Sequence, residues 1–173
     1  MTPLHIAAGT DHAQAIRVLV ELGVNKAARA GEGSTPLHVA AFNGQVDAMR
    51  ALVELGVDIE AKNDRGFTAL HAAAIKGWME AIRVLVELGA DKVAVANEGS
   101  TPLHVAALYG HFEAIRVLVE LGLDIEAKTN RGFTALHVAA IKGQVEAMKT
   151  LAELGANKAA SDCMGATPLH QAA

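Results

Sequence analysis

Thr2-Pro3-Leu4-His5 opens a pattern that runs through the whole chain of 173 residues. The phrase returns at one constant interval without an insertion, with Ala in place of Pro in two returns: Thr35-Pro36-Leu37-His38, Thr68-Ala69-Leu70-His71, Thr101-Pro102-Leu103-His104, Thr134-Ala135-Leu136-His137 and Thr167-Pro168-Leu169-His170. A second phrase, Val20-Glu21-Leu22-Gly23, keeps the same interval. Self-similarity at a fixed period predicts a row of stacked structural units.

Each unit carries the signals of two short helices. Thr is a favoured N-cap, and Pro at the first helical position lacks an N–H that would have had no partner. We expect a first helix over residues 36–43 that Gly44 ends in the left-handed conformation, with Asp11 taking the same place in the first unit. Apolar residues recur with helical periodicity over residues 80–88 and predict the second helix.

The repeated phrase resembles the Thr-Pro-Leu-His-x-Ala signature of the ankyrin-repeat family, and the period is similar too. The resemblance implies an all-α ankyrin-repeat solenoid of helix-turn-helix units with hairpin-like loops. One domain, 1–173, would contain repeats 1–33, 34–66, 67–99, 100–132 and 133–165, and a partial sixth unit, 166–173. An Ala-Ala pair in every unit, from Ala7-Ala8 to Ala172-Ala173, would let the helices approach closely.

A longer period of two units overlies the shorter one. Residues 34–66 match 100–132 better than they match their immediate neighbours, which indicates duplication of a two-unit block. The A-type unit carries Asp58-Ile59-Glu60 or its copy. The B-type unit has Lys after an Asp or Asn, as in Asn25-Lys26.

The hairpins depart from the family pattern at one position. The resemblance implies an Asp that braces neighbouring loops, and the aligned residues are Ala30, Asn63, Ala96, Thr129 and Asp162. We expect side-chain bonds to backbone N–H groups to be weaker or absent in most hairpins. The hairpins at Ala30 and Ala96 should be the more mobile ones.

The ends of the array lack an evident polar cap, which solenoids generally need. We expect poor coverage of Leu4, Ile6, Leu151 and Leu154, which lie in the end units. The chain would then be a fragment of a longer array, or its ends would self-associate.

Charge and composition exclude several classes of function. A net charge of −4 argues against a nucleic-acid partner. The single cysteine, Cys163, cannot form an internal disulfide and is expected to be an exposed thiol rather than a redox switch. No apolar run approaches the roughly 18 residues needed to cross a bilayer, and residues 1–5 lack signal-peptide features. We expect a cytoplasmic protein with no membrane partner, the nucleus remaining an alternative.

The eight histidines do not predict a metal site. Equivalent atoms of stacked units lie about 10 Å apart, whereas zinc ligands lie about 2 Å from the metal. We expect the repeated histidines, and also His12 and His111, to brace the structure, and the resemblance implies the same for the repeated ones. No nucleophile with a base, paired carboxylates or phosphate loop is found, so we expect no enzyme and no cofactor.

Recognition of a partner protein is the function that remains. The resemblance implies that partners bind the concave face formed by hairpin tips and first helices. Aromatic residues and Arg are favoured at binding hot spots, and the aliphatic repeat core does not require the aromatics. The predicted contact residues are Phe42, Asn43, Arg65, Phe67, Ile75, Lys76, Leu108, Tyr109, Arg131, Phe133, Ile141 and Lys142.

Several alternatives stay open at this point. Phe67 and Phe133, like Arg65 and Arg131, are copies two units apart, so duplication also explains their recurrence. Trp78 could join the contact surface, although packing over the groove between units is favoured. The array could also be a structural or self-associating spacer, or a targeting fragment of a longer multidomain protein.

Overall fold

The structure is a computed structural model that describes residues 1–171, so the predicted Ala172-Ala173 pair lies outside the described residues. Within that range every regular element is helical: eleven α-helices, one 3-10 turn at Gly31–Gly33 and no strand. The helices are α1 Pro3–Gly9, α2 Ala13–Glu21, α3 Pro36–Asn43, α4 Val46–Glu54, α5 Ala69–Lys76, α6 Met79–Glu87, α7 Pro102–Tyr109, α8 Phe112–Glu120, α9 Ala135–Ile141, α10 Val145–Glu153 and α11 Pro168–Gln171.

The helices stack in two layers along the chain. The first helices, α1, α3, α5, α7, α9 and α11, each contact the next first helix, and the second helices, α2 to α10, do the same. Each first helix from α1 to α9 also packs on the second helix of its own unit. The predicted all-α repeat solenoid is therefore confirmed.

The caps explain where the helices begin and end. Helix α3 has the predicted bounds: the Thr35 hydroxyl oxygen accepts from the backbone N–H of His38, and Gly44 follows with φ +74°. Asp11 takes the left-handed conformation too, with φ +58°. Helix α6 lies one residue earlier than predicted, because Trp78 is its N-cap and Leu88 is its C-cap.

The core is aliphatic, and it reaches both ends of the stack. Leu4 and Leu151 are completely buried, so the expectation that they would be poorly covered is wrong. Each packs against the helices of its own unit and of one neighbouring unit, and this is sufficient to cover it. Leu154 is half-buried, while Ile6 is 56% exposed, as expected.

Buried histidines connect each unit to the next. The Nε2–H of each donates to a backbone carbonyl oxygen 29 residues later, over 2.7–3.2 Å: His5 to Ser34, His38 to Phe67, His71 to Ser100, His104 to Phe133 and His137 to Ala166. The Nδ1 atom of each ring accepts from the threonine that caps the same helix; for example, the Thr68 backbone N–H donates to His71 Nδ1. Burial lowers the pKa of His71 to about 4, so its ring is neutral near pH 7.

The two-unit period of the sequence corresponds to two kinds of contact between units. After a B-type unit, the Lys26 ammonium donates to the Leu55 carbonyl oxygen near the end of the next second helix, over 2.6 Å. After an A-type unit, the Glu60 carboxylate accepts from the Asp91 backbone N–H over 2.8 Å. The copies of these residues two units later make the same contacts. Helix C-termini favour cations, which explains the place of the lysine.

The loop tips form one hydrogen-bonded ridge without regular strands. The backbone N–H of each tip donates to a carbonyl oxygen of the preceding tip over 3.0–3.2 Å: Asp64 to Glu32, Asn97 to Arg65, Asn130 to Glu98 and Cys163 to Arg131. The hairpin-like loops are thus aligned along one edge of the solenoid.

Bracing inside the hairpins differs in part from the expectation. The Asn63 side-chain oxygen accepts from the backbone N–H groups of Arg65 and Phe67, and Asp162 makes the equivalent pair of bonds. The expected weakening is therefore wrong at Asn63, because an amide oxygen reaches the same two donors as a carboxylate. Thr129 makes one such bond, and the Ala30 and Ala96 side chains have no polar atom that could make it.

Candidate protein-binding groove

The loop tips and the first helices line a groove along one side of the stack. It contains two adjoining cavities, of about 580 Å³ and about 420 Å³. Both cavities are lined by Arg65 and Phe67, so they adjoin at this point. Together, the two cavities can contact several residues of one bound segment.

Ten of the twelve predicted contact residues line these cavities. The first cavity takes Phe42, Asn43, Arg65, Phe67, Ile75, Lys76 and Tyr109, and the second takes Arg65, Phe67, Leu108, Arg131 and Phe133. Ile141 and Lys142 line neither cavity and lie exposed at the end of α9. The structure thus brings most of the predicted set onto one surface.

Cations lie over aromatic rings in the groove. The guanidinium carbon of Arg65 is 4.9 Å from the Phe67 ring centroid, and Arg131 and Phe133 repeat this geometry at 4.9 Å. The Lys76 ammonium is 4.6 Å from the Phe42 ring centroid. Such stacking holds each cation in place, while its N–H donors stay free for a ligand carboxylate.

The aromatic residues of the groove divide into two groups. Phe42 and Tyr109 have 39% and 45% of their surface exposed. Phe67 is half-buried and stacks on the ring of His71, with centroids 5.3 Å apart, and Phe133 stacks on His137 in the same way. Phe67 and Phe133 therefore support the buried histidines as well as lining the groove.

Trp78 packs across the seam between two units, as the sequence analysis favoured. Its indole N–H donates to the Phe42 carbonyl oxygen over 2.9 Å, and its ring covers Gly44. The residues at the same repeat position donate to the equivalent carbonyl oxygens: Gln45 to Gly9, His111 to Ile75 and Gln144 to Leu108. His111 is structural, as expected, because it makes this bond.

Sequence reasoning missed the floor of the groove. Val39 and Ala72 line the first cavity, and Val105 and Val138 line the second. They occupy one position of the first helix, one turn before the Phe42 position, so they share its face. Their recurrence once in every unit with small or β-branched apolar side chains was the available signal.

Among residues 1–171, no three or more His, Cys, Asp and Glu side chains lie close enough together to hold one metal ion. Cys163 is exposed at a loop tip, as expected. Among the same residues, no helix has the length and apolar character required to span a membrane.

Paired helices stacked in two layers, with loop tips aligned along a concave groove, define a helical repeat solenoid. The family model for ankyrin repeats, in three copies, matches residues 1–63, 55–129 and 121–173, and the chain therefore belongs to the ankyrin-repeat family. No curated protein matches the chain. Ankyrin repeats are in general protein–protein interaction modules and are typically not enzymes.

Proposed function

We propose that this chain is a non-enzymatic module that binds a partner protein in its concave groove. The observation that carries the proposal is that aromatic rings and the cations stacked on them line two adjoining cavities. These side chains are the types enriched at binding hot spots. The net charge of −4 favours a protein partner over nucleic acid. The lone cysteine favours a scaffold role in the cytoplasm.

The binding mechanism is display of a preformed surface. Histidine bonds between units, the backbone ridge of the loop tips and the contacts of Lys26 and Glu60 hold the groove residues in register. A surface that is ordered before binding loses little conformational entropy when the partner arrives. Affinity then depends on the side chains that face the groove.

The experiment is selection of binders from a library of displayed protein fragments, followed by substitution of groove residues. Phe42→Ala with Tyr109→Ala removes two exposed rings and should weaken the selected binders at least about tenfold. Phe112→Ala is the matched control, because Phe112 is 40% exposed but lines neither cavity. Binders that lose nothing with the double variant, or that respond to Phe112→Ala instead, would overturn the proposal. Thermal unfolding of each variant checks that the fold is kept.

Self-association through the ends is a second candidate, favoured by one observation. Ile6 and Leu22 are 56% and 76% exposed in the first unit, and Val145 is 56% exposed in the fifth. Such end faces match the expected spacer role. Sedimentation over a dilution series tests it: Leu22→Lys should reduce any oligomer, and a monomer at all concentrations excludes this role.

A further inference from the structure

The charges of the groove alternate in sign from unit to unit. We group the groove residues into levels, each a loop tip with the first helix that follows it: level 2 with Glu32 and Phe42, level 3 with Arg65, Phe67 and Lys76, level 4 with Glu98 and Tyr109, and level 5 with Arg131 and Phe133. Levels 2 and 4 are acidic at the tip, and levels 3 and 5 are basic. The pattern repeats every two levels, like the two-unit period of the sequence.

These charges are available to a ligand. Within residues 1–171, Glu32, Glu98, Arg65 and Arg131 form no ion pair, and all four side chains are exposed. All four line the cavities. Asp64, at the tip of level 3, also lines the second cavity, but its carboxylate lies 3.8 Å from the guanidinium of Arg29, which lines neither cavity and offsets part of its charge. A partner with opposite charges at the same spacing gains complementarity at three successive levels.

Among extended backbone conformations, the spacing of the levels matches polyproline II. Packed helices lie about 8–10 Å apart, which sets the step between levels. A polyproline II segment advances about 9 Å in three residues and turns every third side chain to the same side. A β-strand places residues three apart on opposite faces, so it cannot present a charge to each level.

Resting on the proposed function, we infer that the groove binds a polyproline II segment of a partner protein with charged residues at every third position and alternating sign. An acidic residue contacts Arg65, a basic residue three positions later contacts Glu98, and an acidic residue three further on contacts Arg131. The acidic side chains meet guanidinium groups already held over Phe67 and Phe133. The sequence acid-base-acid reads the same in both chain directions, so it does not require one orientation.

The test starts from a displayed library of random peptides, each about four polyproline II turns long. Peptides are selected on the wild-type chain, and those that still bind Leu108→Ala, a variant that alters the second cavity, are removed. We expect the remaining peptides to share two acidic residues six positions apart with a basic residue midway. Groove-dependent peptides without this spacing, for example with charges seven apart as on an α-helix, overturn the inference and leave the proposed function standing. If no groove-dependent peptide is selected, the inference fails, while the displayed protein fragments still decide the proposed function.

A charge swap then tests the register with a synthetic consensus peptide in fluorescence anisotropy. Glu98→Lys should weaken binding at least about tenfold, and replacing the central base of the peptide by Glu should restore it. The altered peptide should bind the wild-type chain weakly. Lys158→Glu, at an exposed lysine outside both cavities, is the control and should change the affinity by less than about twofold. If the Glu98→Lys variant binds the consensus peptide and the altered peptide equally weakly, the inference is overturned.

Discussion

The Trp78 indole N–H donates to the Phe42 carbonyl oxygen over 2.9 Å, and this bond joins the start of α6 to the end of α3 in the preceding unit. Phe42 is at the same time one of the exposed aromatics of the groove, and the Lys76 ammonium lies over its ring. A packing contact between units therefore borders the proposed binding surface. Substitutions at Trp78 should change the contact between units while leaving the Phe42 side chain in the groove, because only the backbone of Phe42 takes part in the bond.

Trp78→Ala should lower the free energy of unfolding by about 1–2 kcal/mol, because it removes both a hydrogen bond and a packed ring. Trp78→Gln should cost less, because Gln45 and Gln144 make the equivalent bond at the same repeat position. Urea unfolding followed by circular dichroism measures both variants. Equal losses for Ala and Gln would show that the hydrogen bond contributes nothing.

Two left-handed glycines should respond differently to alanine. Gly77 and Gly143 have φ of +69° and +64°, so both substitutions strain the backbone by about 1 kcal/mol. A Cβ at Gly77 would also meet the His111 ring at 2.6 Å, whereas at Gly143 it would meet nothing within 4 Å. Gly77→Ala should therefore cost roughly 1–2 kcal/mol more than Gly143→Ala in urea unfolding. Similar costs would contradict the tight packing of His111.

Acid should destabilise the protein through its buried histidines. The folded chain holds the pKa of His71 at about 4, mainly because burial disfavours the charged ring, while an unfolded histidine titrates near 6.5. The unfolded state thus binds more protons between these values, and stability is lost as the pH falls from about 6.5 towards 4. His71 alone accounts for about 3 kcal/mol of this loss. Burial lowers the pKa of His38 and His104 in the same direction.

NMR titration of the histidine rings measures this prediction directly. His71 should stay neutral, with its proton on Nε2, until the pH is near 4, and urea midpoints should fall over the same range. A pKa of His71 at or above about 6 would contradict the buried geometry.

The period was enough to predict the solenoid, because it repeats from unit to unit. The capping residues were enough to predict the bounds of α3, because they act within one unit. The burial of Leu151 and the two hydrogen bonds that the Asn63 side chain accepts were not predicted, since each depends on the position of neighbouring backbone. The groove was predicted in outline by repeat position, and ten predicted residues line it. The different support of Phe67 and Phe42 could not be predicted, because a histidine ring stacks on Phe67 whereas the Lys76 ammonium lies over Phe42.

The ladder of surface ion pairs should contribute little to stability. Arg83 lies 2.9 Å from Glu120 in the next unit, and both side chains are exposed, at 43% and 60%. Exposed pairs of this kind are worth about 0.2–1 kcal/mol and are screened by salt. A double-mutant cycle of Arg83→Ala and Glu120→Ala should give a coupling in that range that shrinks at high salt. A coupling that is insensitive to salt would show that packing of the side chains, rather than charge, joins the units.

Hairpin bracing offers a way to stabilise the array. The Asp162 carboxylate accepts from the backbone N–H groups of Met164 and Ala166 over 2.8 Å and 2.9 Å, and Ala30 occupies the same repeat position without such bonds. Ala30→Asp should raise the free energy of unfolding by about 0.5–1.5 kcal/mol, because it would give the equivalent backbone N–H groups, those of Glu32 and Ser34, a charged acceptor.

Asn63→Ala is the reverse change and should lower the free energy of unfolding by about 1 kcal/mol, because it removes two bonds to backbone N–H groups. Hydrogen exchange at the two hairpins locates each effect: protection should rise around Ala30→Asp and fall around Asn63→Ala, with α9 and α10 unchanged as the internal control. If Ala30→Asp lowers both stability and protection, the backbone N–H groups of the first hairpin are not placed like those that bond to Asp162. The loop tips would then differ in backbone conformation and not only in one side chain.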